Sequence, residues 1–160
     1  MGRMSGSGGG AGWVWGPREP LGSGPPPGVL AAVGRPGLDG TLRPKGRGIP
    51  DIELISNYLD ALEVAAGVTP GHVKLLVVAT ETPAAMIGFA SYATPTRRLM
   101  AMTWGAEDLG AALGALSNKE PNGDWTFPYQ MARAQCLFAA GAAGVLPLDT
   151  LYADFRDQKG

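Results

Sequence analysis

The feature that most constrains this chain is an alternation, from Thr41 onward, between short apolar segments and segments with helical periodicity. Residues 73–80 (VKLLVVAT) are nearly all apolar and rich in β-branched side chains, as in a strand that is buried on both faces. Residues 99–104 (LMAMTW) have the same character. Strands that alternate with helices favour a parallel sheet, so the pattern predicts an α/β fold.

The predicted order is β-α-β-α-β-α-β, with four parallel strands. The strands cover residues 42–45, 73–80, 99–104 and 145–151, and the helices begin at Pro50, Pro83, Glu107 and Pro128 and end near Gly67, Ala90, Ala115 and Ala143. Thr126 is the predicted N-cap of the last helix. Because Pro147 has no N–H for a sheet hydrogen bond, we expect it near the start of its strand or on a sheet edge.

The first 40 residues have a different composition. Residues 1–40 contain 13 of the 25 glycines and 6 of the 14 prolines, a density that disfavours both helix and strand. We therefore predict a disordered or aberrant segment at 1–40, followed by one folded domain at 41–160.

Charge and rare residues exclude several classes of function. The net charge of −1 gives no basic footprint for nucleic acid or an anionic membrane. The single cysteine, Cys136, and the single histidine, His72, exclude an internal disulfide and a Cys/His zinc cluster, so any metal must have oxygen ligands. No apolar run has the length of about 18 residues that spans a bilayer, and no secretory signal pattern is present, so we expect a cytoplasmic protein.

Two acidic residues stand at corresponding positions of the predicted fold. Glu81 follows the second predicted strand, and Asp108 follows the third, about one βαβ unit later. Carboxylates at the ends of adjacent parallel strands can reach one divalent ion, and strand carboxyl ends carry the chemistry in barrels of this kind. The alternative is that each acid only stabilises the N-terminus of the helix that follows it.

The two acids lie in motifs that resemble those of a known family. Residues 80–82 (TET) are followed by residues 104–109 (WGAEDL) and then by Leu113-Gly114. This order resembles the "ET … GAEDL … LG" signature of the citrate lyase beta-subunit-like proteins in the HpcH/HpaI aldolase/citrate lyase family. In that family the Glu of the first motif and the Asp of the second hold Mg²⁺. The resemblance therefore implies that Glu81 and Asp108 are Mg²⁺ ligands.

Three weaker motifs extend the resemblance over residues 41–160. Residues 42–45 (LRPK) are similar to the family's "LPK" strand, residues 131–133 (MAR) to its "YAR" helix start, and residues 148–152 (LDTLY) to its "IDTVY" strand. Each motif is weak alone, but five motifs in the correct order are a specific signal.

The resemblance implies a partial TIM-type (β/α) barrel with about four parallel strands. A complete barrel of this type needs about 250 residues, whereas this chain has 160. The family's substrate-binding Arg in a "VRVN"-like motif, its acidic "DLED" strand and its final "GK…IHP" strand are not found here. We therefore expect a homo-oligomer or a partner that completes the barrel.

The implied activity is Mg²⁺-dependent carbon–carbon cleavage of a 3-hydroxyacyl-CoA of the malyl-CoA, citramalyl-CoA or citryl-CoA type. Two alternatives stay open: a non-catalytic barrel fragment or oligomerisation partner that retains metal or acyl-CoA binding, and a class II aldolase acting on 2-oxo acids. Glu107 in the "GAED" form favours the acyl-CoA branch of the family, although it is equally interpreted as a first-turn helix acid.

Three further residues have side chains that could belong to a functional site. Lys45 has two open interpretations, a side chain that faces the metal site and a solvated surface lysine. Cys136 is interpreted as a small core residue in an Ala-rich helix. His72 precedes a strand, at the amino end of the sheet, where barrels place stability and not chemistry, and is given no role.

Overall fold

The computed structural model describes residues 3–4, 13–15, 39–43, 45–94 and 96–150. In this part of the chain, six strands form one sheet in sequence order. They are β1 (Arg3–Met4), β2 (Trp13–Trp15), β3 (Gly40–Arg43), β4 (Lys74–Val78), β5 (Leu99–Thr103) and β6 (Leu146–Leu148).

The four predicted strands correspond to β3 to β6, and each pairs in parallel with the next. This confirms the predicted α/β fold with four parallel strands. The sheet is also longer than predicted, because β2 pairs in parallel with β3 and β1 pairs antiparallel with β2. Both strands lie within residues 1–40, where disorder was predicted. Apart from these strands, Asp39 and Gly40, residues 1–40 lie outside the described part of the chain, so the prediction is not tested there.

Four α-helices connect the strands in the described ranges. They are α1 (Ile49–Ala65), α2 (Pro83–Ile87), α3 (Glu107–Leu113) and α4 (Phe127–Ala143), and a 3₁₀-helix covers Phe89–Ala93. The second predicted helix breaks at Gly88, where an added Cβ would lie 2.7 Å from the carbonyl oxygen of Arg47. Thr126 occupies the N-cap position of α4, as predicted, but its side chain makes no capping hydrogen bond.

The core lies between the sheet and the helices. Leu75 and Val77 of β4 are fully buried, and they pack in one cluster with Ile52 and Leu59 of α1. On the opposite face of β4, Leu76 and Val78 are only half-buried. In a closed barrel this second face would be the interior.

The β6 strand ends the sheet on one side. Its only strand neighbour in the described part of the chain is β5, so Pro147 lies on an edge strand, as predicted. Across the same residues, no helix has the length and apolar character needed to cross a bilayer.

Candidate metal centre

The carboxyl ends of β4 and β5 are tied together just beyond the last paired residues. The hydroxyl of Thr80 accepts a hydrogen bond from the N–H of Gly105 at 2.9 Å and contacts its carbonyl oxygen at 3.2 Å. Thr80 is fully buried, so this contact is shielded from water. The residues that follow these two positions are therefore held at one edge of the sheet.

Glu81 and Asp108 meet at this edge. Lys45 contacts the carboxyl groups of both residues, and the two groups are close enough for Asp108 to raise the pKa of Glu81. Glu81 is buried, with 8% of its surface exposed, whereas the Asp108 side chain is 28% exposed. The structure thus brings together the two residues that were predicted from their positions at successive strand ends.

The electrostatics of the pair show that its negative charge is poorly compensated. Burial raises the pKa of Glu81, the backbone N–H of Lys45 lowers it, and the adjacent Asp108 raises it further, to a net value of about 7. Two carboxyl groups this close repel each other when both are ionised. A cation between them would relieve that repulsion.

Lys45 faces the pair, which decides between its two interpretations. Its backbone N–H donates a hydrogen bond to Oε2 of Glu81, and its Nζ lies 3.9 Å from Oδ1 of Asp108. The next residue fixes this loop against β4: the N–H of Gly46 donates to the carbonyl oxygen of Val78 at 3.2 Å. A Cβ at Gly46 would lie 2.5 Å from Cγ1 of Val77, so only glycine allows this approach.

Gly105 leaves room for the Glu81 side chain. A Cβ added at Gly105 would lie 3.4 Å from Cγ of Glu81 and 3.2 Å from Cγ1 of Val78. Sequence reasoning identified Gly105 and Thr80 only as parts of motifs and did not assign them a contact. The sequence feature that could have indicated these contacts is that Thr80 directly precedes Glu81 and that Gly105 begins the segment leading to Asp108.

The donor set of the pair suits Mg²⁺. This ion prefers oxygen ligands and is commonly held by one or two carboxylates, with water or substrate oxygens in its other positions. Among the residues that the structure describes, no third His, Cys, Asp or Glu joins the pair in a metal-binding group. Glu81 and Asp108 therefore fit a magnesium ion that also contacts solvent or substrate.

The other candidates lie away from the pair. Glu107 is exposed, and its Oε1 accepts a hydrogen bond from Nδ2 of Asn118 at 3.1 Å. Cys136 is a core residue, and burial raises its pKa to about 12, so the thiol is unreactive. His72 lies at the amino end of β4, with Nε2 3.6 Å from Oδ1 of Asp39.

A second polar cluster surrounds Asp149, which follows β6. Its Oδ1 accepts a hydrogen bond from Nε1 of Trp104 at 2.6 Å, and its Oδ2 pairs with Arg133 of α4. Burial acts to raise the pKa of Asp149, but the hydrogen bonds from Trp104, the Thr150 N–H and Arg133 lower it overall. Trp104, Arg133 and Asp149 are among the residues that line a cavity of about 660 Å³. The sequence pointed to Arg133 and Asp149 only as parts of motifs.

The chain matches one known protein family and several curated proteins. Residues 24–160 match the model of the family described as HpcH/HpaI aldolase/citrate lyase. The chain is 30% identical, over 131 residues, to the citrate lyase subunit beta of Haemophilus influenzae, covering 82% of this chain and 43% of that protein. It is 27% identical, over 136 residues, to the L-malyl-CoA/beta-methylmalyl-CoA lyase of Cereibacter sphaeroides, covering 77% and 42%.

A solved structure shows the same fold over most of the chain. The Mycobacterium tuberculosis citrate lyase beta subunit, complexed with oxaloacetate and magnesium, superposes with a TM-score of 0.62 at 25% identity. The match covers 91% of this chain and 56% of that one. The chain thus spans less than half the length of the curated relatives named above.

Proposed function

Because this chain belongs to the HpcH/HpaI aldolase/citrate lyase family, we propose that it is a Mg²⁺-dependent carbon–carbon lyase acting on a 3-hydroxyacyl-CoA. The observation that carries the proposal is that the carboxyl groups of Glu81 and Asp108 lie at the same carboxyl edge of the sheet, where Lys45 contacts both of them. Relatives named as malyl-CoA lyases support the substrate class, and a related structure that holds magnesium and oxaloacetate supports the metal.

The proposed reaction cleaves the bond between C2 and C3 of the thioester. The 3-hydroxyl loses its proton as it becomes the carbonyl of an oxo acid, and the bonding electrons pass to the thioester, which takes up a proton at C2. Negative charge therefore develops on oxygen. When bound by Glu81 and Asp108, Mg²⁺ supplies Lewis-acid stabilisation of that charge.

The residues around the pair have separate tasks in this proposal. The N–H of Lys45 orients the Glu81 carboxylate, and the absence of a side chain at Gly105 gives it room. Asp108 is more exposed than Glu81, so it lies on the side from which a substrate would approach. Glu81 and Asp108 are thus metal ligands and not nucleophiles, and the proton-transfer groups are unassigned.

Purified full-length protein tests the proposal in a coupled assay with L-malyl-CoA or citramalyl-CoA and Mg²⁺. Cleavage should require Mg²⁺, should be abolished by Glu81→Gln, and should persist in Glu107→Gln, which removes a neighbouring exposed carboxylate. Folded protein without turnover on either ester would contradict the lyase proposal. Turnover of a free 4-hydroxy-2-oxo acid instead would favour the class II aldolase alternative.

A second candidate function is a non-catalytic fragment or oligomerisation partner that retains metal or acyl-CoA binding. Mg²⁺ binding without turnover would distinguish this candidate from the lyase.

The proposal includes a homo-oligomer or a partner that completes the barrel. Within the described residues, β6 has no strand on its outer side and the face around Leu76 and Val78 is only half-buried; both features support this, because a closed barrel would cover them. A cytoplasmic location is also proposed, supported by the single cysteine, which leaves no internal disulfide.

A further inference from the structure

Lys45 contacts both carboxylates of the pair through two different groups. Its backbone N–H donates to Oε2 of Glu81, and its side-chain Nζ lies 3.9 Å from Oδ1 of Asp108. In the described residues, no other Lys or Arg nitrogen lies within 4.0 Å of either carboxylate. The backbone of Lys45 therefore contacts Glu81, and its side chain contacts Asp108.

The backbone of Lys45 is itself unusual. Its φ is 54°, and it is the only residue other than glycine with a positive φ in the described part of the chain. Side chains with a Cβ rarely adopt this region, and such conformations cluster at functional sites. The conformation is held by the docking of Gly46 against β4.

Among the described residues, the neighbouring cations Arg43 and Arg47 form no ion pair with Asp108, although the charge of Arg43 acts on Glu81 from a distance. Arg47 pairs with Asp51, with Nη2 3.2 Å from Oδ1. Arg43 is buried on the side of β3 that carries Thr41, in line with Leu75 and Val77 of β4, so it faces the helices. The ammonium of Lys45 is therefore the cation available to Asp108, and its 40% exposure allows it to move into solvent.

We propose that Lys45 is the resident counter-cation of the Glu81–Asp108 site. Its ammonium balances Asp108 while no divalent ion is bound, and it leaves Asp108 when the ion binds. Its N–H keeps Glu81 oriented in both states. Lys45 is thus a positioning residue that also competes with the metal, an inference that rests on the proposed metal-dependent function.

The inference predicts opposite effects on metal affinity and metal-free stability. Lys45→Met keeps the backbone N–H and the aliphatic stem but removes the charge. Without the competing ammonium, Mg²⁺ should bind about two- to fivefold more tightly, since a partly exposed ion pair is weak. The metal-free protein should melt at a lower temperature, because Asp108 has lost its counter-charge. A lysine with only a structural role would not raise Mg²⁺ affinity and lower metal-free stability in the same variant.

Titration calorimetry with Mg²⁺ on the full chain, together with thermal melts, tests this. Lys45→Gln provides a second neutral variant, and Lys45→Arg should restore wild-type affinity. The matched control is Lys74→Met, which removes an ammonium at the amino end of β4 and should leave Mg²⁺ affinity unchanged.

The outcomes separate this inference from the proposed function. If the wild-type protein binds Mg²⁺ and neither Lys45→Met nor Lys45→Gln binds it more tightly, the counter-cation role is overturned. The proposed metal site would not be affected by that result. Failure of the wild-type protein to bind Mg²⁺ would overturn the metal site, and the inference with it.

Discussion

Gly105 has no side chain next to Glu81, and the space this leaves is used by the carboxylate. A Cβ there would lie 3.2 Å from Cγ1 of Val78, which is tighter than most Cβ contacts, and 3.4 Å from Cγ of Glu81, which is ordinary van der Waals contact. Val78 would therefore have to shift by a few tenths of an ångström, and Glu81 follows Val78 at the same strand end. The geometry of the proposed metal site therefore depends on a glycine that holds no metal.

We expect Gly105→Ala to weaken Mg²⁺ binding about tenfold, as changes beside metal ligands commonly do. Calorimetric titration measures the affinity. Gly141→Ala is the matched control, because a Cβ at Gly141 meets nothing within 4 Å and alanine favours the α4 helix. Equal Mg²⁺ affinity in the two variants would show that Gly105 does not shape the site.

At this scale the sequence points to the two proposed ligands but not to the residues that surround them. Glu81 and Asp108 were identified because both follow strand patterns and both lie in family motifs. The left-handed backbone of Lys45 was not predictable, because its cause is the docking of Gly46 on β4 more than 30 residues away, which no local pattern records.

Between elements, the hydroxyl of Thr80 connects the carboxyl ends of β4 and β5. We expect Thr80→Val to lower the free energy of unfolding by about 1–3 kcal/mol, because the buried N–H of Gly105 loses its acceptor. Mg²⁺ affinity should also fall as the two strand ends separate. Chemical denaturation measures the first effect, with Thr69→Val at an exposed turn position as the control.

At the amino ends of the same strands, a buried ion pair ties α1 to the sheet. Nη2 of Arg98 lies 2.6 Å from Oε2 of Glu63, and both side chains are fully buried. Burial alone would raise the pKa of Glu63, but hydrogen bonds from Arg98 and from the N–H groups of Val73 and Gly71 lower it to about 2.

This pair gives a pH dependence of stability with a definite sign. Because the folded pKa of Glu63 lies below the ordinary value of 4.5, its contribution to stability is present above pH 4.5 and is lost as the pH falls toward 2. The size is on the order of 3 kcal/mol. Urea unfolding measured across this pH range should show the loss. If the unfolding free energy of Glu63→Gln changed with pH as steeply as that of the wild-type protein, the assignment to Glu63 would be contradicted.

Glu63→Gln should itself cost about 1–3 kcal/mol at pH 7, because the buried Arg98 guanidinium loses one carboxylate partner and keeps the other, Asp60. Glu53→Gln makes the same change at an exposed position of α1 and should cost little. The pair was not predicted from the sequence, since helical periodicity marks Glu63 only as a polar residue and not as the buried partner of Arg98.

On the scale of the whole molecule, the described fold is a sheet that is parallel from β2 to β6, with β1 antiparallel, and its buried face packs against helices. The alternation of apolar and helical segments was sufficient to predict β3 to β6 and their direction. It did not predict β1 and β2, because Gly and Pro dominate the composition around these strands, and a local pattern cannot show that β2 pairs with β3. The family match, which begins at residue 24, also extends before the predicted boundary at 41.

The central claim is that one divalent ion is shared by Glu81 and Asp108, and titration of the full chain with Mg²⁺ tests it most directly. The account predicts one ion per chain, with binding lost in both Glu81→Gln and Asp108→Asn and kept in Glu107→Gln. Binding that survives in both of the first two variants, or no binding in the wild-type protein, would contradict it.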